Sequence, residues 1–308
     1  MRYCTLKFMT RGRSLCQVFV FRKEIAMKNV GYYNGEMCEL EELMIPALDR
    51  VVFFGDGVYD ATMVVDGVIM YEEDHLDRFF NSMRMVKLQP AFTREELAAI
   101  LHQVVEAADD QDLFLYWQAT RGTDLRDHAF PDVDPNLLVY AQPRAFKTGG
   151  SVCAAVTFPD LRHHMLNVKT LNLQINCLVQ TEARDAGAQE AIFVRDGLVT
   201  ECAHCNIHLL KDGVLITHPA DNLILPGIAR KHLLQACATL GVPVEERPFD
   251  VAEMMAADEV FVSSSSAFVK PISVIDGQPV GMKDPEAIQR FVDALDAQWT
   301  AYVADHCA

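Results

Sequence analysis

Positive charge is scarce in this sequence of 308 residues. There are 27 lysine and arginine residues against 43 aspartate and glutamate residues, so the formal net charge is −16. Proteins that bind nucleic acid neutralise its phosphates with clustered lysine and arginine side chains. The composition therefore argues against a nucleic-acid partner, and it implies that any anionic ligand is held by a few local basic groups.

Long apolar runs and a regular cysteine framework are missing as well. No segment approaches the roughly 20 apolar residues that a membrane-spanning helix needs, so we expect no membrane partner. The nine cysteines are an odd number and are scattered from Cys4 to Cys307 without regular spacing. This pattern is typical of reduced thiols in a cytoplasmic protein rather than of disulfides.

The first 26 residues differ from the rest of the chain. They hold six basic residues and only one acidic residue, Glu24. Three interpretations compete: a mitochondrial-type targeting peptide, a poor secretory signal around residues 15–21, and upstream translated sequence ahead of a start at Met27. We favour the third, because the apolar stretch lacks a small-residue cleavage site and residues 27–36 immediately predict a strand and a hairpin turn. We therefore expect residues 1–26 to be a non-native or disordered extension.

Hairpins and helices are both indicated in the remaining chain. Three Asp-Gly pairs lie between β-like stretches and predict tight turns at Asp66-Gly67, Asp196-Gly197 and Asp212-Gly213. Helices are predicted over residues 75–86, 93–108, 172–186, 227–240 and 285–305, the second of them opening with a capping box formed by Thr93 and Glu96.

This mixture of elements indicates an α+β fold with mixed or antiparallel sheets, because the chain does not alternate strictly between strand and helix. The length allows two lobes with a cleft between them. Residues 142–150 combine proline, charge and paired glycines and are the best linker candidate. We therefore predict a small N-terminal domain over 27–145 and a larger domain over 146–308.

Two charged residues stand at places where they could do chemistry. Lys169 lies between a strand-like stretch and a predicted helix in a mostly apolar neighbourhood, where an amine can act as a nucleophile toward carbonyl groups. Glu201 ends a predicted strand 32 residues later and could keep the ring nitrogen of a cofactor protonated. From position alone, a solvated surface charge is the better interpretation of each.

Phosphate binding is suggested by two further segments. Residues 225–230 open a helix with Pro226 and Gly227, which leaves free backbone N–H groups where an anion is favoured. Residues 263–266 are four serines that follow a predicted strand and offer hydroxyl groups. An ordinary helix start and an ordinary strand end would look the same.

Taken together, these segments resemble the fold-type IV (class IV) pyridoxal-phosphate family, which includes D-amino-acid transaminases, branched-chain aminotransferases and aminodeoxychorismate lyases. The likeness covers nearly everything from Tyr32 onward. The blocks that carry it are Phe-Gly-Asp-Gly-Val-Tyr at 54–59, His-Leu-Asp-Arg at 75–78, Thr-Arg-Gly-Thr at 120–123, Val-Lys-Thr-Leu-Asn at 168–172, Val-Thr-Glu at 199–201, Leu-Pro-Gly-Ile at 225–228 and Val-Ser-Ser-Ser at 262–265.

The resemblance implies a role for individual residues. It makes Lys169 the catalytic lysine that holds pyridoxal 5'-phosphate as a Schiff base, and Glu201 the partner of the pyridine nitrogen. Leu225 would pack against the ring. The other residues expected at the cofactor are Arg78, His204, Gly227, Ile228, Ala229, Ser264 and Ser265.

Among the members of this family, the D-amino-acid transaminases are the most similar. Arg126 and His128 match their trap for the substrate α-carboxylate, with Tyr59 as a third member. Arg162 matches a basic position near their site, and we expect it to bind the substrate as well. In those relatives the trap loop, here residues 121–130, enters the active site of the neighbouring subunit of a homodimer.

The expected reaction is transamination between a D-amino acid, such as D-alanine or D-glutamate, and a 2-oxo acid, such as 2-oxoglutarate or pyruvate. A branched-chain L-amino-acid aminotransferase, an aminodeoxychorismate lyase and a non-catalytic cofactor-binding protein remain alternatives.

Two departures from the family pattern stand out. Ala229 replaces a threonine, and Cys-Ala-His-Cys at 202–205 replaces a hydroxyl-rich stretch, so two or three phosphate contacts are missing. Each lost charge-assisted hydrogen bond costs about 1.5 to 3 kcal/mol, so cofactor affinity could be reduced. The Cys-Ala-His-Cys segment could suggest a metal, but no second Cys or His pair stands at a customary zinc spacing, and we predict no metal.

Overall fold

The structure, a computed structural model, describes residues 27–306, so the expectation for residues 1–26 lies outside the described part of the chain. Two sheets dominate it. The first has six strands in the order β2-β1-β6-β5-β3-β4, with every neighbouring pair antiparallel. Its strands are β1 (Val30–Tyr33), β2 (Glu36–Glu39), β3 (Gly57–Val65), β4 (Val68–Ile69), β5 (Leu113–Thr120) and β6 (Asn136–Pro143).

The second sheet has ten strands in the order β12-β11-β10-β14-β15-β7-β8-β9-β13, with β16 paired to β15. It is mixed, because β7 runs parallel to both β8 and β15. Its strands are β7 (Cys153–Pro159), β8 (Glu190–Arg195), β9 (Leu198–Cys202), β10 (Asn206–Lys211), β11 (Val214–Thr217), β12 (Val244–Glu246), β13 (Phe249–Asp250), β14 (Glu259–Ser264), β15 (Ala267–Ile275) and β16 (Gln278–Pro279).

The helices cover the sheets. They are α1 (Arg50–Phe54), α2 (Glu72–Met85), α3 (Arg94–Glu106), α4 (Gln174–Asp185), α5 (Ile228–Leu240), α6 (Val251–Ala256) and α7 (Pro285–His306). Phe79 of α2 and Leu101 of α3 pack with Trp117 of β5 in one core cluster, while α5 and α7 contribute to a second cluster through Leu233 and Phe291. Within residues 27–306, none of the helices is both long and apolar enough to cross a membrane.

The α+β expectation with mixed and antiparallel sheets is confirmed. Each of the three Asp-Gly pairs joins two antiparallel strands, and their aspartates have positive φ angles of 50–54°. All five predicted helices are present, with shifts of up to three residues at their ends. Sequence reasoning missed α1 and α6, which have only five and six residues and therefore show no helical period.

The region between the sheets differs slightly from the expected linker. Gln142 and Pro143 belong to β6, because they pair with Phe114 and Leu113 of β5. No helix or strand is assigned between Pro143 and Cys153. A domain boundary at residue 145 stays a prediction.

The capping box of α3 is formed as expected. The amide of Glu96 donates to Thr93 Oγ1 at 3.1 Å, and the amide of Thr93 donates to Glu96 Oε2 at 2.7 Å. Thr93→Ala should lower the free energy of unfolding by about 1 kcal/mol, because the first turn loses its acceptor. Urea titration followed by circular dichroism measures this change.

The matched control is Thr181→Ala, inside the exposed face of α4. The Thr181 hydroxyl only donates back to the carbonyl of Cys177 in the same helix, and alanine favours helix interiors. This variant should lose no stability. Equal losses in the two variants would contradict the role given to the cap.

Candidate active site

A cavity of about 340 Å³ gathers residues from both sheets. Its wall includes Tyr59 of β3, Glu201 of β9 and Ser264 of β14, together with the segments that precede α4 and α5. This volume lies within the range of small-molecule and cofactor sites, roughly 300 to 1,000 Å³. All ten residues that the sequence assigned to the cofactor line this cavity, as do Tyr59 and Arg162.

Lys169 is fixed to the cavity wall by backbone hydrogen bonds to β3. The amide of Tyr59 donates to the carbonyl of Lys169 at 3.0 Å, and the amide of Leu171 donates to the carbonyl of Gly57 at 3.1 Å. A side chain at position 57 would collide with the carbonyl of Ala119 and with Leu171, so glycine permits this close approach.

The Lys169 ammonium lies over the Tyr59 ring, with Nζ 4.3 Å from the ring centroid. Such a position favours a cation electrostatically. The strand expected before Lys169 is absent; only an isolated bridge joins Thr170 to Val58. The helix that follows begins at Gln174, so the lysine belongs to an irregular segment.

Glu201 forms a buried acidic end of the cavity. Its Oε1 accepts from Arg162 Nη1 at 2.7 Å, and its Oε2 accepts from Asn206 Nδ2 at 3.1 Å and from the amide of Leu225 at 3.0 Å. Burial raises the pKa of Glu201, and the Arg162 guanidinium opposes that rise without cancelling it. Three donors therefore support the ionised carboxylate in a place where water cannot.

The Arg162 guanidinium is occupied by two buried carboxylates. Its Nε and Nη2 both donate to Asp160, at 2.9 and 3.0 Å, while Nη1 is bound to Glu201. The guanidinium lies over the ring of Phe193, 3.9 Å from its centroid. These contacts favour Arg162 as a residue that positions Glu201, rather than as the substrate ligand that the sequence suggested.

The opposite part of the cavity is rich in groups that bind anions. Helix α5 begins after Gly227 without a side-chain cap, so the first amides of the helix, at Ile228 and Ala229, are not capped by a side chain. Arg78 donates to the carbonyl of Pro226 at 3.3 Å, and Ser264 and Ser265 stand on the same wall. A helix N-terminus with an arginine and hydroxyl groups suits a phosphate.

A buried network that sequence reasoning missed holds Arg78 in place. Asp60 accepts from Arg78 Nε at 2.9 Å and from Nη2 at 2.6 Å, and it is 2.8 Å from His75 Nδ1. Although burial alone would raise the pKa of Asp60, Arg78 and His75 lower it well below its usual value. A charged residue within the apolar strand β3 was the signal, because a buried carboxylate needs partners.

Asn206 is a second residue that was missed. Its Nδ2 donates both to Glu201 and to the carbonyl of Leu225, at 3.1 and 3.0 Å. It therefore ties the acidic end of the cavity to the segment that leads into α5. A Cβ at Gly227 would overlap Asn206 Oδ1, which explains the glycine at the helix start.

The chemical groups around the cavity fit the pyridoxal phosphate that the sequence implies. An amine, a buried carboxylate and an uncapped helix N-terminus lie around one cavity, matching the aldehyde, ring nitrogen and phosphate of that cofactor. Serine hydroxyls remain at 263–266, whereas Ala229 and Cys205 offer none.

Arg126 and His128 are the two predicted site residues that the structure does not bring to the cavity. The Arg126 guanidinium lies over the ring of Phe54, 4.9 Å from its centroid, and His128 packs on the same ring. Residues 124–130 are exposed, and Leu125 and Phe130 are 73% and 59% exposed. Within one chain these two residues therefore do not form the carboxylate trap that the resemblance implies.

Comparisons with known proteins agree with this geometry. The model of the family described as amino-transferase class IV matches residues 57–275. A D-alanine aminotransferase of Bacillus licheniformis is 35% identical over 263 residues, covering 84% of this chain and 93% of the relative. A D-alanine aminotransferase of Listeria monocytogenes is 36% identical over 276 residues, covering 85% of this chain and 94% of the relative.

Solved structures share the fold. A branched-chain aminotransferase of Thermoproteus uzoniensis, crystallised with norvaline, matches with a TM-score of 0.80 at 25% identity, covering 87% of this chain and 93% of that one. A branched-chain amino acid aminotransferase of Escherichia coli matches with a TM-score of 0.79 at 24% identity, covering 88% and 94%. The latter likeness concerns the fold alone.

The buried arginine at the acidic end of the cavity can be tested by its removal. Arg162→Met should lower the free energy of unfolding by about 3 to 5 kcal/mol, because Glu201 stays buried without a cation and Asp160 keeps only Arg195. Chemical denaturation at neutral pH measures the loss.

Arg94→Met is the matched control. Arg94 also bridges two carboxylates, those of Glu73 and Asp77, but both are largely exposed. Surface pairs contribute only about 0 to 1 kcal/mol. If Arg162→Met is as stable as Arg94→Met, the two buried carboxylates do not depend on Arg162 for their charge.

Proposed function

The chain belongs to the class IV aminotransferases, and from that premise we propose that it transfers the amino group of a D-amino acid to a 2-oxo acid, with pyridoxal 5'-phosphate held at Lys169. The observation that carries the proposal is the single cavity that joins Lys169, Glu201 and the uncapped start of α5. Two D-alanine aminotransferases that match most of the chain support the D-stereochemistry.

The chemistry is divided between the cofactor and the chain. Bound pyridoxal phosphate supplies an aldehyde for the amino group and a ring that accepts electrons from the substrate Cα. The Lys169 amine removes the proton from Cα and later returns a proton on the same side of the site. Its backbone bonds to β3 hold the Lys169 main chain at the cavity wall through both transfers.

Glu201 holds a proton at the ring nitrogen. Arg162, Asn206 and the amide of Leu225 favour its ionised form, and an anion at this end retains the proton that makes the ring an electron acceptor. Arg78, the amides of Ile228 and Ala229, and Ser265 bind the phosphate. Leu225 packs against the ring.

Arg126 and His128, the residues that the sequence assigns to the substrate α-carboxylate, lie away from the cavity within one chain. We assign the α-carboxylate to Arg126 and His128 of a second copy of the chain, with Tyr59 of the first, in a homodimer whose 121–130 loop enters the partner's site. Arg50 supports this loop by donating to the carbonyls of Asp127 and Ala129. A planar guanidinium suits a carboxylate because it donates in a bidentate manner.

D-Alanine and D-glutamate are the proposed donors, and 2-oxoglutarate and pyruvate are the proposed acceptors. The cytoplasmic location expected from the cysteine pattern stays a prediction. A branched-chain L-amino-acid aminotransferase and an aminodeoxychorismate lyase are distinguished by the experiment below.

The stereochemistry is tested by supplying the purified enzyme with pyridoxal phosphate, 2-oxoglutarate and one amino donor at a time. Pyruvate should form from D-alanine, whereas L-alanine and L-leucine should yield little oxo acid. Lys169→Ala should lose at least about 100-fold in rate, because the proton-transferring amine is gone. Turnover of L-leucine without D-alanine would assign the chain to the branched-chain enzymes, and pyruvate from aminodeoxychorismate would assign it to the lyases.

The Arg126 assignment predicts a kinetic defect. Arg126→Met should lower kcat/KM for D-alanine by about 10- to 100-fold, mainly through KM, because one charge-assisted contact to the carboxylate is lost. The matched control is Arg184→Met, since Arg184 is 75% exposed at the end of α4 and should have unchanged kinetics.

Mixing two defective variants tests whether the loop acts in the partner's site. A heterodimer of Lys169→Ala and Arg126→Met chains contains one site in which both residues are intact, if the loop crosses to the partner. Co-expression should then restore turnover at low D-alanine concentration. If the loop served its own chain, every site would lack one residue, and no activity would return.

A further inference from the structure

A cluster of three metal-binding side chains lies at the edge of the cavity, and two of them, Glu190 and Cys205, have no part in the proposed transamination. Glu190 of β8 and Cys205 are buried, and His204 is half exposed on the cavity wall. One ligand atom from each of the three lies within 4.8 Å of the other two. The sequence predicted no metal here because no second Cys or His pair stands at a customary zinc spacing, whereas the third ligand is a carboxylate from β8.

We propose that Glu190, His204 and Cys205 bind a divalent cation of the zinc class at the wall of the cofactor cavity. The carboxylate, imidazole and thiolate supply three protein ligands. A fourth coordination position is left for water or for a molecule in the cavity, which is the usual composition of an open zinc site.

The distances from Glu190 fit one ion shared with each of the other two groups, and the His204 and Cys205 ligand atoms lie within 4.8 Å of each other. Glu190 Oε2 lies 3.3 Å from Cys205 Sγ and 3.7 Å from His204 Nε2. Zinc binds oxygen and nitrogen at about 2.0–2.1 Å and sulfur at about 2.3 Å in a tetrahedral arrangement, which places neighbouring ligand atoms about 3.3–3.8 Å apart. The side chains therefore need no large movement.

The surroundings suit a coordinated carboxylate. Lys270 Nζ donates to the other oxygen of Glu190, Oε1, at 2.8 Å. This leaves Oε2 for the metal and fixes the carboxylate, as partners of metal ligands commonly do. Exposed His204 gives the ion a path from the cavity, while Cys205 and Glu190 hold it below the surface.

A proton leaves when the metal binds. The Cys205 thiol donates to Glu190 Oε2 across 3.3 Å in the metal-free site. Binding breaks the S–H bond, forms a metal–sulfur bond and releases the proton to solvent. A soft thiolate with an imidazole selects zinc-class ions over magnesium or calcium.

The test is equilibrium dialysis of the holoenzyme against Zn²⁺, with bound zinc measured per chain. The wild type and the control Cys177→Ser, which removes an exposed thiol of α4, should each bind one zinc tightly at this site. His204→Ser and Cys205→Ser should bind it at least about 100-fold more weakly, because the loss of a supporting partner alone costs about 10- to 100-fold.

Co²⁺ provides a second readout that does not depend on activity. Its thiolate charge-transfer absorption should appear in the wild type and in Cys177→Ser but not in Cys205→Ser, and circular dichroism checks that each variant is folded. His204 is half exposed, so its substitution disturbs no core. The proposal is overturned if the wild type binds no zinc, or if His204→Ser and Cys205→Ser bind zinc and Co²⁺ as the wild type does.

Discussion

The active cavity depends on keeping one carboxylate ionised where water is excluded. Glu201 is buried at the end of β9, and its burial alone favours the neutral acid. Arg162, Asn206 and the amide of Leu225 donate to its two oxygens. Arg162 is itself held by Asp160, which also pairs with Arg195 at 3.0 Å. A chain of charges therefore runs from the cavity into the second sheet, and breaking one member leaves the others buried and uncompensated.

Buried charged partners also hold the anion-binding side of the cavity, but they belong to a different part of the fold. Arg78 is oriented by Asp60 of β3, within the first sheet, while α5 lies between β11 and β12 of the second sheet. Lys169 is attached to β3 by backbone bonds rather than by its side chain. Within residues 27–306, no carboxylate pairs with the Lys169 amine. The hydrogen bonds of the site restrain the Lys169 backbone and the charged ends of the cavity.

Local signals in the sequence predicted most of the fold. Asp-Gly pairs and the capping box at Thr93 depend only on neighbouring residues, so they could be recognised directly. The short helices α1 and α6 could not, because five or six residues carry no periodicity. At the site, the residues of the motifs were placed in the cavity as expected, whereas Asn206 and the link between Arg162 and Glu201 were not foreseen. Both depend on contacts between segments that are distant or only weakly marked in the sequence.

The same limit applies to the cluster at Glu190. Its histidine and cysteine are visible in one segment, but their carboxylate partner comes from β8, and its availability depends on Lys270 of β15. Spacing rules detect metal sites whose ligands come in sequence pairs. They do not detect a site whose last ligand comes from another strand of the sheet, because the pairing of the strands must be known first.

The most direct measurement is the nitrogen-15 NMR signal of pyridoxal phosphate labelled at its ring nitrogen and bound to the enzyme at neutral pH. The account predicts a protonated ring nitrogen in the wild type and an unprotonated one in Glu201→Gln, because only the carboxylate holds the proton there. An unprotonated nitrogen in the wild type, or the same signal in both proteins, would contradict the role of Glu201 on which the proposed mechanism depends.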